Sequence, residues 1–208
     1  MNEKERNDII ISWLTVSFAF AWIGTAIFSL RGFEEFISQF IIMLFAVGTG
    51  FIFHELAHRQ VAKHYGAHAE FRAWKSGLLL ALGLAIITNG SMVFAAPGAV
   101  YVFGKNITIK QNGIISLAGP ATNILIAIIL GMFLAILNPT DFIVKIIVSA
   151  MYVNFFLAAF NMIPIFPLDG SKVIAWNALL WGTIMLLAAS GVFFFNVWLT
   201  VFSFFSII

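Results

Sequence analysis

Phe51-Ile52-Phe53-His54-Glu55-Leu56-Ala57-His58 places two imidazoles and a carboxylate at the far end of a long apolar run. On a helix, His54 and His58 stand four residues apart, share one face and can ligate one metal ion. Glu55 lies beside that face, within reach of a water held at an open coordination position. The alternative is a pair of interfacial histidines at the end of a buried helix. Polar groups at membrane depth are costly, however, and so close a cluster calls for a reason. The histidine spacing and the glutamate position together match a zinc-site pattern.

The surroundings of this stretch set the class of protein. Of 208 residues, 62% are hydrophobic and only 10% charged, whereas soluble domains carry about 25% charged residues. The chain therefore reads as an all-α polytopic membrane protein with about five or six transmembrane helices. A net charge of +2, with no basic patch interleaved with aromatics, excludes nucleic acid as a partner. With no cysteine there is no disulfide, no thiolate ligand and no cysteine nucleophile. Any metal must be held by His, Asp or Glu.

Ile9 to Leu30 reads as the first span, an apolar run too long for a cleaved signal. Arg31 to Glu35 reads as a short polar turn, and Phe36 to about His64 as the second span. His54 then lies roughly 27 Å along the helix from Phe36, near the exit end. Gly48 and Gly50, just before it, read as small residues that allow close helix packing. Arg59, Lys63, Arg72 and Lys75 make the most basic segment, which the positive-inside rule assigns to the cytoplasm together with the N-terminus. His64 and His68 lie in this segment and read as solvated.

Gly77 to Ala96 is either a span or a short membrane-associated hairpin between the second and third spans. Asn89-Gly90 is a two-residue turn signal, with Leu84 to Thr88 and Met92 to Val102 as candidate strands on either side. Gly113 to Leu137 and Phe142 to about Phe160 are spans joined by the turn Asn138 to Asp141. Asn161 to Gly170 holds two prolines and a glycine and reads as an extended exit. Ser171 to Ile208 forms one long helix or two, with Ser190-Gly191 as the expected break.

A catalytic zinc site usually takes three protein ligands and keeps one position open. Candidates for the third are Glu70, Asp141, Asp169, Glu34 and Glu35. The glutamate pair stands at the opposite end of the second span, roughly 30 Å from the histidines. Glu70 reads as a salt-bridging surface group in the basic segment. Asp141 and Asp169 sit at opposite ends of one span, so topology decides between them. If Gly77 to Ala96 is a hairpin, Asp169 returns to the level of His54 and His58. Lys105, Lys110 and Lys172 then also fall on the cytoplasmic side. Asp169 is the choice; its alternative is an ordinary turn aspartate in Leu168-Asp169-Gly170.

With these residues in place, the chain resembles the site-2 protease family of intramembrane zinc metalloproteases. His54-Glu55-Leu56-Ala57-His58 matches the family's HExxH motif. Asn161-Met162-Ile163-Pro164-Ile165-Phe166-Pro167-Leu168-Asp169-Gly170 looks like its NxxPxxPxDG-type signature. Ala118-Gly119-Pro120-Ala121-Thr122-Asn123 is similar to its AGPxxN segment. The likeness covers roughly Phe45 to Lys172, and no PDZ or cystathionine-β-synthase-type domain is seen. It implies one membrane-embedded metalloprotease domain over 1–208, with a catalytic core at about 36–172 and flanking helices at 9–30 and 173–208.

The resemblance implies one Zn2+ per chain on His54, His58 and Asp169, with Glu55 deprotonating the zinc-bound water. It implies that Asn161 assists at the oxyanion, against the alternative of a helix C-cap. Pro120 is expected to start a helix, and Asn123 to bond to a neighbouring one. Ala96 to Val100 resembles the family's glycine-containing loop, so Pro97, Gly98, Ala99 and Val100 are expected to meet substrate, an exposed strand edge pairing with an extended peptide. The implied function is zinc-dependent hydrolysis of a peptide bond in or near a transmembrane segment of a membrane-protein substrate. The enzyme would lie in the lipid bilayer of the cell membrane, with its N-terminus and active site toward the cytoplasm. One alternative is a non-catalytic homologue that binds membrane proteins, which the intact Glu55 disfavours. The other is a small metal or proton transporter, which calls for charge-lined helices or internal repeats that the chain lacks.

Overall fold

The structure, a computed structural model, describes residues 1–22, 29–90, 97–103, 107–137 and 139–204. Helix α1 (Glu3–Ala21) starts at Asn2, whose side chain accepts from the Glu5 amide at 2.8 Å. Glu3 and Glu5 in its first turn suit the positive end of the helix dipole. Helix α2 (Leu30–Val47) starts at Ser29, whose hydroxyl accepts from the Gly32 amide at 3.0 Å. That cap turns Arg31 to Glu35 into the first turn of the helix, where a separate polar turn was expected. An exposed Arg31–Glu35 pair at 3.1 Å sits there.

A single π turn, Gly48–Ile52, joins α2 to α3 (Phe53–His64), so one continuous helix runs from Leu30 to His64. Next come β1 (His68–Ala73), α4 (Lys75–Ile87), β2 (Gly98–Phe103), α5 (Ile109–Leu137) and α6 (Asp141–Asn161). Helices α7 (Asp169–Trp176), α8 (Ala178–Phe193) and α9 (Phe195–Phe204) complete the chain. Helix α5 begins eleven residues before Pro120, which lies inside it. Its start is a capping box: the Gln111 amide donates to Thr108 Oγ1 at 3.2 Å, and the Thr108 amide to Gln111 Oε1 at 2.9 Å.

Among the described residues, three helices are long and apolar enough to cross a membrane: Leu30–His64, Ile109–Leu137 and Asp141–Asn161. Helices α8 and α9 are bent by 84° and make a fourth if the pair counts as one span. Against the expected five or six spans, the described residues thus show three or four helices of that length and composition. Two expected segments fall outside that count. Helix α1 is apolar only from Ile9 onward, and residues 23–28 of that expected span lie outside the described residues. The C-terminal segment breaks at Phe194, not at Ser190-Gly191. Gly191 is instead a packing site, since a Cβ there would lie 2.2 Å from the Phe155 ring.

The hairpin between the second and third spans also differs from the expectation. Leu84 to Ile87 is the end of α4, a 13-residue helix, and not a strand. Asn89 and Gly90 do take positive φ, 48° and 79°, but their turn ends a helix. The partner of β2 is β1, antiparallel, with Phe71 opposite Val100 and Ala73 opposite Gly98. Residues 92–96 of the second candidate strand lie outside the described residues. The β1 segment alternates buried Ala69 and Phe71 with polar His68, Glu70 and Arg72, a strand pattern inside a segment read only for its charge.

Helix α5 is central, packing against α3, α6 and α7. Phe51, Phe71, Leu78, Val47, Ala150 and Val153 form the core that joins α2, the sheet and α6. The Phe51 and Phe71 rings meet edge to face at 5.4 Å, a geometry worth about 0.5–1.5 kcal/mol beyond area burial. It fixes β1 against the start of the helix that carries His54.

Candidate metal centre

One turn of α3 separates His54 from His58, and Asp169 arrives from the first turn of α7. The Nε2 atoms of the two histidines lie 2.9 Å apart, and Asp169 Oδ2 lies 3.3 Å from His54 Nε2 and 3.1 Å from His58 Nε2. Among the described residues this is the group of His, Asp or Glu side chains that could hold a metal ion. These are the three residues that the sequence offered as candidate ligands.

The partners of the other ring nitrogens decide what the cluster presents. His54 Nδ1 lies 2.6 Å from Asn123 Oδ1. The Asn123 amide nitrogen donates to Gly50 O at 2.8 Å and to Asn154 Oδ1 at 2.9 Å, which turns its oxygen toward the histidine. His58 Nδ1 lies 2.7 Å from the Ile115 carbonyl. Both acceptors call for a proton on Nδ1, leaving both Nε2 atoms as lone pairs. With both rings neutral, two lone pairs and a carboxylate oxygen converge, a donor set suited to a cation between them. Gly119 keeps room for one: a Cβ there would lie 2.5 Å from both Nε2 atoms. Imidazole and carboxylate donors, with Glu55 beside them, suit a zinc ion with an open position.

Glu55 is buried, and its Oε2 has no hydrogen-bond partner. A buried carboxylate oxygen left without a donor is expensive unless a metal, a water or a substrate meets it. Asp169 is held from behind. A Cβ on Gly170 would lie 2.1 Å from Met162 O, so the start of α7 is pressed onto the end of α6. Trp181 Nε1 donates to the same carbonyl at 2.7 Å. Lys172 Nζ donates to Pro167 O at 2.7 Å and stands 3.7 Å from Asp169 Oδ1, leaving Oδ2 for the histidines.

Other sequence candidates take different places. Asn161 is the last residue of α6, and its amide nitrogen donates to Leu157 O at 2.9 Å, within its own helix. Pro97 O accepts from the Trp74 amide at 2.9 Å and from Ser12 Oγ at 3.2 Å. Gly98, Ala99 and Val100 open β2. At Gly98 φ is +155°, and a Cβ would meet Arg72 O at 2.3 Å. Glu70 pairs with His68 at 2.9 Å and with Arg72, as a surface salt bridge should. The hydrogen bond from His68 holds its carboxyl below the usual range. His64 and His68 are exposed.

Sequence reasoning did not single out Asn154, which is fully buried mid-span and donates to Thr49 Oγ1 at 3.2 Å and Ala150 O at 2.8 Å. Its signal was available: an amide in the middle of an apolar span is as costly as the histidines were. Asn123 does bond to a neighbouring helix, and its partner is His54 of the candidate metal cluster.

No family model matches the chain, and no solved structure matches it. A protein of Methanocaldococcus jannaschii that carries the name "Putative zinc metalloprotease" is 42% identical over 183 residues, which is 88% of this chain and 90% of that one. A protein of Mycolicibacterium smegmatis with the same name, Rip2, is 28% identical over 174 residues, covering 78% of this chain and 66% of its own. With a likeness of that extent to the first, and a metal cluster built from an intact His-Glu-x-x-His helix, the chain belongs to this zinc metalloprotease family.

Proposed function

We propose that the protein is an intramembrane zinc endopeptidase of the site-2 type, cutting a peptide bond in or near a transmembrane segment of a membrane-protein substrate. The observation that carries this reading is the convergence of His54, His58 and Asp169 beneath Gly119, on a helix long enough to cross a membrane. A zinc ion there would acidify water at its open position and polarise a carbonyl. His54 and His58 supply neutral Nε2 donors, fixed by Asn123 and Ile115. Glu55 takes a proton from the attacking water, holds it on its carboxylate and hands it to the departing amine. Its unpartnered Oε2 is the atom free for that work.

Substrate must present an extended backbone, because a helical peptide bond is closed to attack. The start of β2, at Gly98 to Val100, is the edge proposed to hold it by strand addition. Asn161 joins the reaction only if its amide leaves Leu157 O and turns to the developing oxyanion. The basic residues Arg59, Lys63, Arg72 and Lys75 support a cytoplasmic position for the site and the N-terminus in the cell membrane.

The test is cleavage of a membrane-protein substrate by the purified protein in detergent or liposomes. Loss of cleavage with a zinc chelator, recovery on adding zinc, and a cut mapped by mass spectrometry to the substrate's span are the expected results. Metal uptake into sealed vesicles without any cleavage would instead identify a transporter.

A further inference from the structure

The polar stripe along the start of α1 faces the sheet. Glu5 is only 1% exposed although it stands in the most charged part of the chain. Its Oε1 accepts from the Phe71 amide of β1 at 3.3 Å and forms an ion pair, without hydrogen-bond geometry, with Arg59 Nε 3.2 Å away on the His54–His58 helix. One turn on, Asp8 Oδ2 accepts from the Ala73 amide at 3.4 Å, and a further turn on Ser12 Oγ reaches Pro97 O. Before them, the Asn2 side chain donates to Glu70 at 2.9 Å.

The two backbone contacts fall on alternate residues of β1, Phe71 and Ala73, and that alternation has a geometric meaning. In an antiparallel pair, opposed residues alternately exchange both backbone hydrogen bonds or turn them outward. The Phe71 and Ala73 amides point away from β2, toward α1. Phe71↔Val100 and Ala73↔Gly98 are therefore outward-turned pairs, and Val100 turns its own N–H and C=O away from β1. One edge of the sheet is thus occupied by carboxylates of a helix, while the other lies along β2. A buried carboxylate is costly to desolvate unless its partners compensate, so Glu5 is not an incidental surface group.

We infer that Glu5 and Asp8 are positioning residues: they stand in for a third strand, close the β1 edge, and through Arg59 hold the sheet in register with the His54–His58 helix. A peptide can then add only at the β2 edge, at a fixed distance from the metal. This rests on the protease reading for its consequence in catalysis, but the clamp itself is a property of the unliganded fold.

The experiment compares wild type with Glu5→Ala, Glu5→Gln and Asp8→Ala. Hydrogen exchange is measured on zinc-free protein, and zinc content and steady-state cleavage on zinc-loaded protein. Exchange protection should fall about tenfold or more at Phe71 in Glu5→Ala and at Ala73 in Asp8→Ala, because those amides lose their acceptor. Zinc content should stay at the wild-type value. KM for a transmembrane substrate should rise about tenfold, with kcat changed less than about twofold, as displacement of a positioning element predicts. Glu5→Gln keeps an oxygen for the Phe71 amide and should recover most of the loss. Should Glu5→Ala fail to fold, Asp8→Ala carries the same test through Ala73. Unchanged protection, or a loss confined to zinc content and kcat, overturns the inference. A wild type that cuts nothing refutes the protease reading alone, and the exchange data still judge the clamp.

Discussion

Asn123 Oδ1 meets His54 Nδ1 at 2.6 Å, and the same amide ties Gly50 O and Asn154 into one buried chain across α2–α3, α5 and α6. The relationship makes the histidine's tautomer a consequence of helix packing. Gly50 sits in the π turn that precedes His54, and such single turns of wider pitch recur at functional sites. The ligand is therefore aimed by three spans at once.

Replacing Asn123 with Ala removes the acceptor for His54 Nδ1 and leaves Gly50 O and Asn154 Oδ1 short of a donor. Outer-shell losses of this kind typically weaken metal affinity about 10- to 100-fold. Zinc titration against a competing chelator should give a dissociation constant raised within that range. Thermal unfolding of the zinc-free protein should show a stability loss of about 1–3 kcal/mol from the unpaired groups. An affinity equal to wild type would mean that His54 needs no help from the neighbouring helices.

Gly119→Ala is the sharpest steric test of the site. Its methyl would lie 2.5 Å from both Nε2 atoms, inside the space reserved for the ion. Zinc content should fall well below one per chain while helical circular dichroism is kept. Full zinc binding by this variant would place the metal elsewhere.

Asp169→Ala removes the one anionic ligand while leaving α7 its other anchors, Gly170 on Met162 and Trp181 on the same carbonyl. Metal analysis should show zinc lost from most molecules at micromolar concentration. Stoichiometric zinc would assign the third ligand to another group.

Much of the site was legible because its chemistry is local or repeats a rule. His54, Glu55 and His58 share a turn of one helix, and their cost at membrane depth marks them. Asp169 followed from asking which carboxylate can return to their level, and the fold brings it there. Asn154 escaped because one amide in an apolar span carries no spacing to count, although its cost follows from the same rule. Gly119 escaped because an open space above two rings exists only once α3 and α5 are packed.

The fold was less legible where tertiary contacts set the structure. Ser29 and Thr108 each moved a helix start, through hydroxyl caps that Ser29-x-x-Gly32 hides and Thr108-x-x-Gln111 displays. Apolar Leu84 to Ile87 offers strand and helix patterns equally, and α1 gives α4 a surface to pack on as a helix. The β1 strand was obscured by its charged and polar residues His68, Glu70 and Arg72; Asn2 reaches Glu70, while Glu5 and Asp8 meet the backbone amides of Phe71 and Ala73 between them. The polar residues Glu5 and Asp8, which precede the expected first span, contact the sheet.

Thr108→Ala is a control for the fold that spares the site. Loss of the cap should lower stability by about 1 kcal/mol, read as a lower unfolding temperature in detergent, with zinc content and cleavage rate unchanged. A change in cleavage would show that the start of α5 does more than begin a helix.

In the proposed mechanism Glu55 moves the proton at a metal site built by His54, His58 and Asp169. Its most direct measurement is zinc content and single-turnover cleavage on one preparation of Glu55→Gln, beside wild type. Zinc should be bound as in wild type and cleavage lowered about 1,000-fold or more, the scale of losing both a positioned base and the attack it drives. Cleavage at the wild-type rate with zinc in place would contradict it.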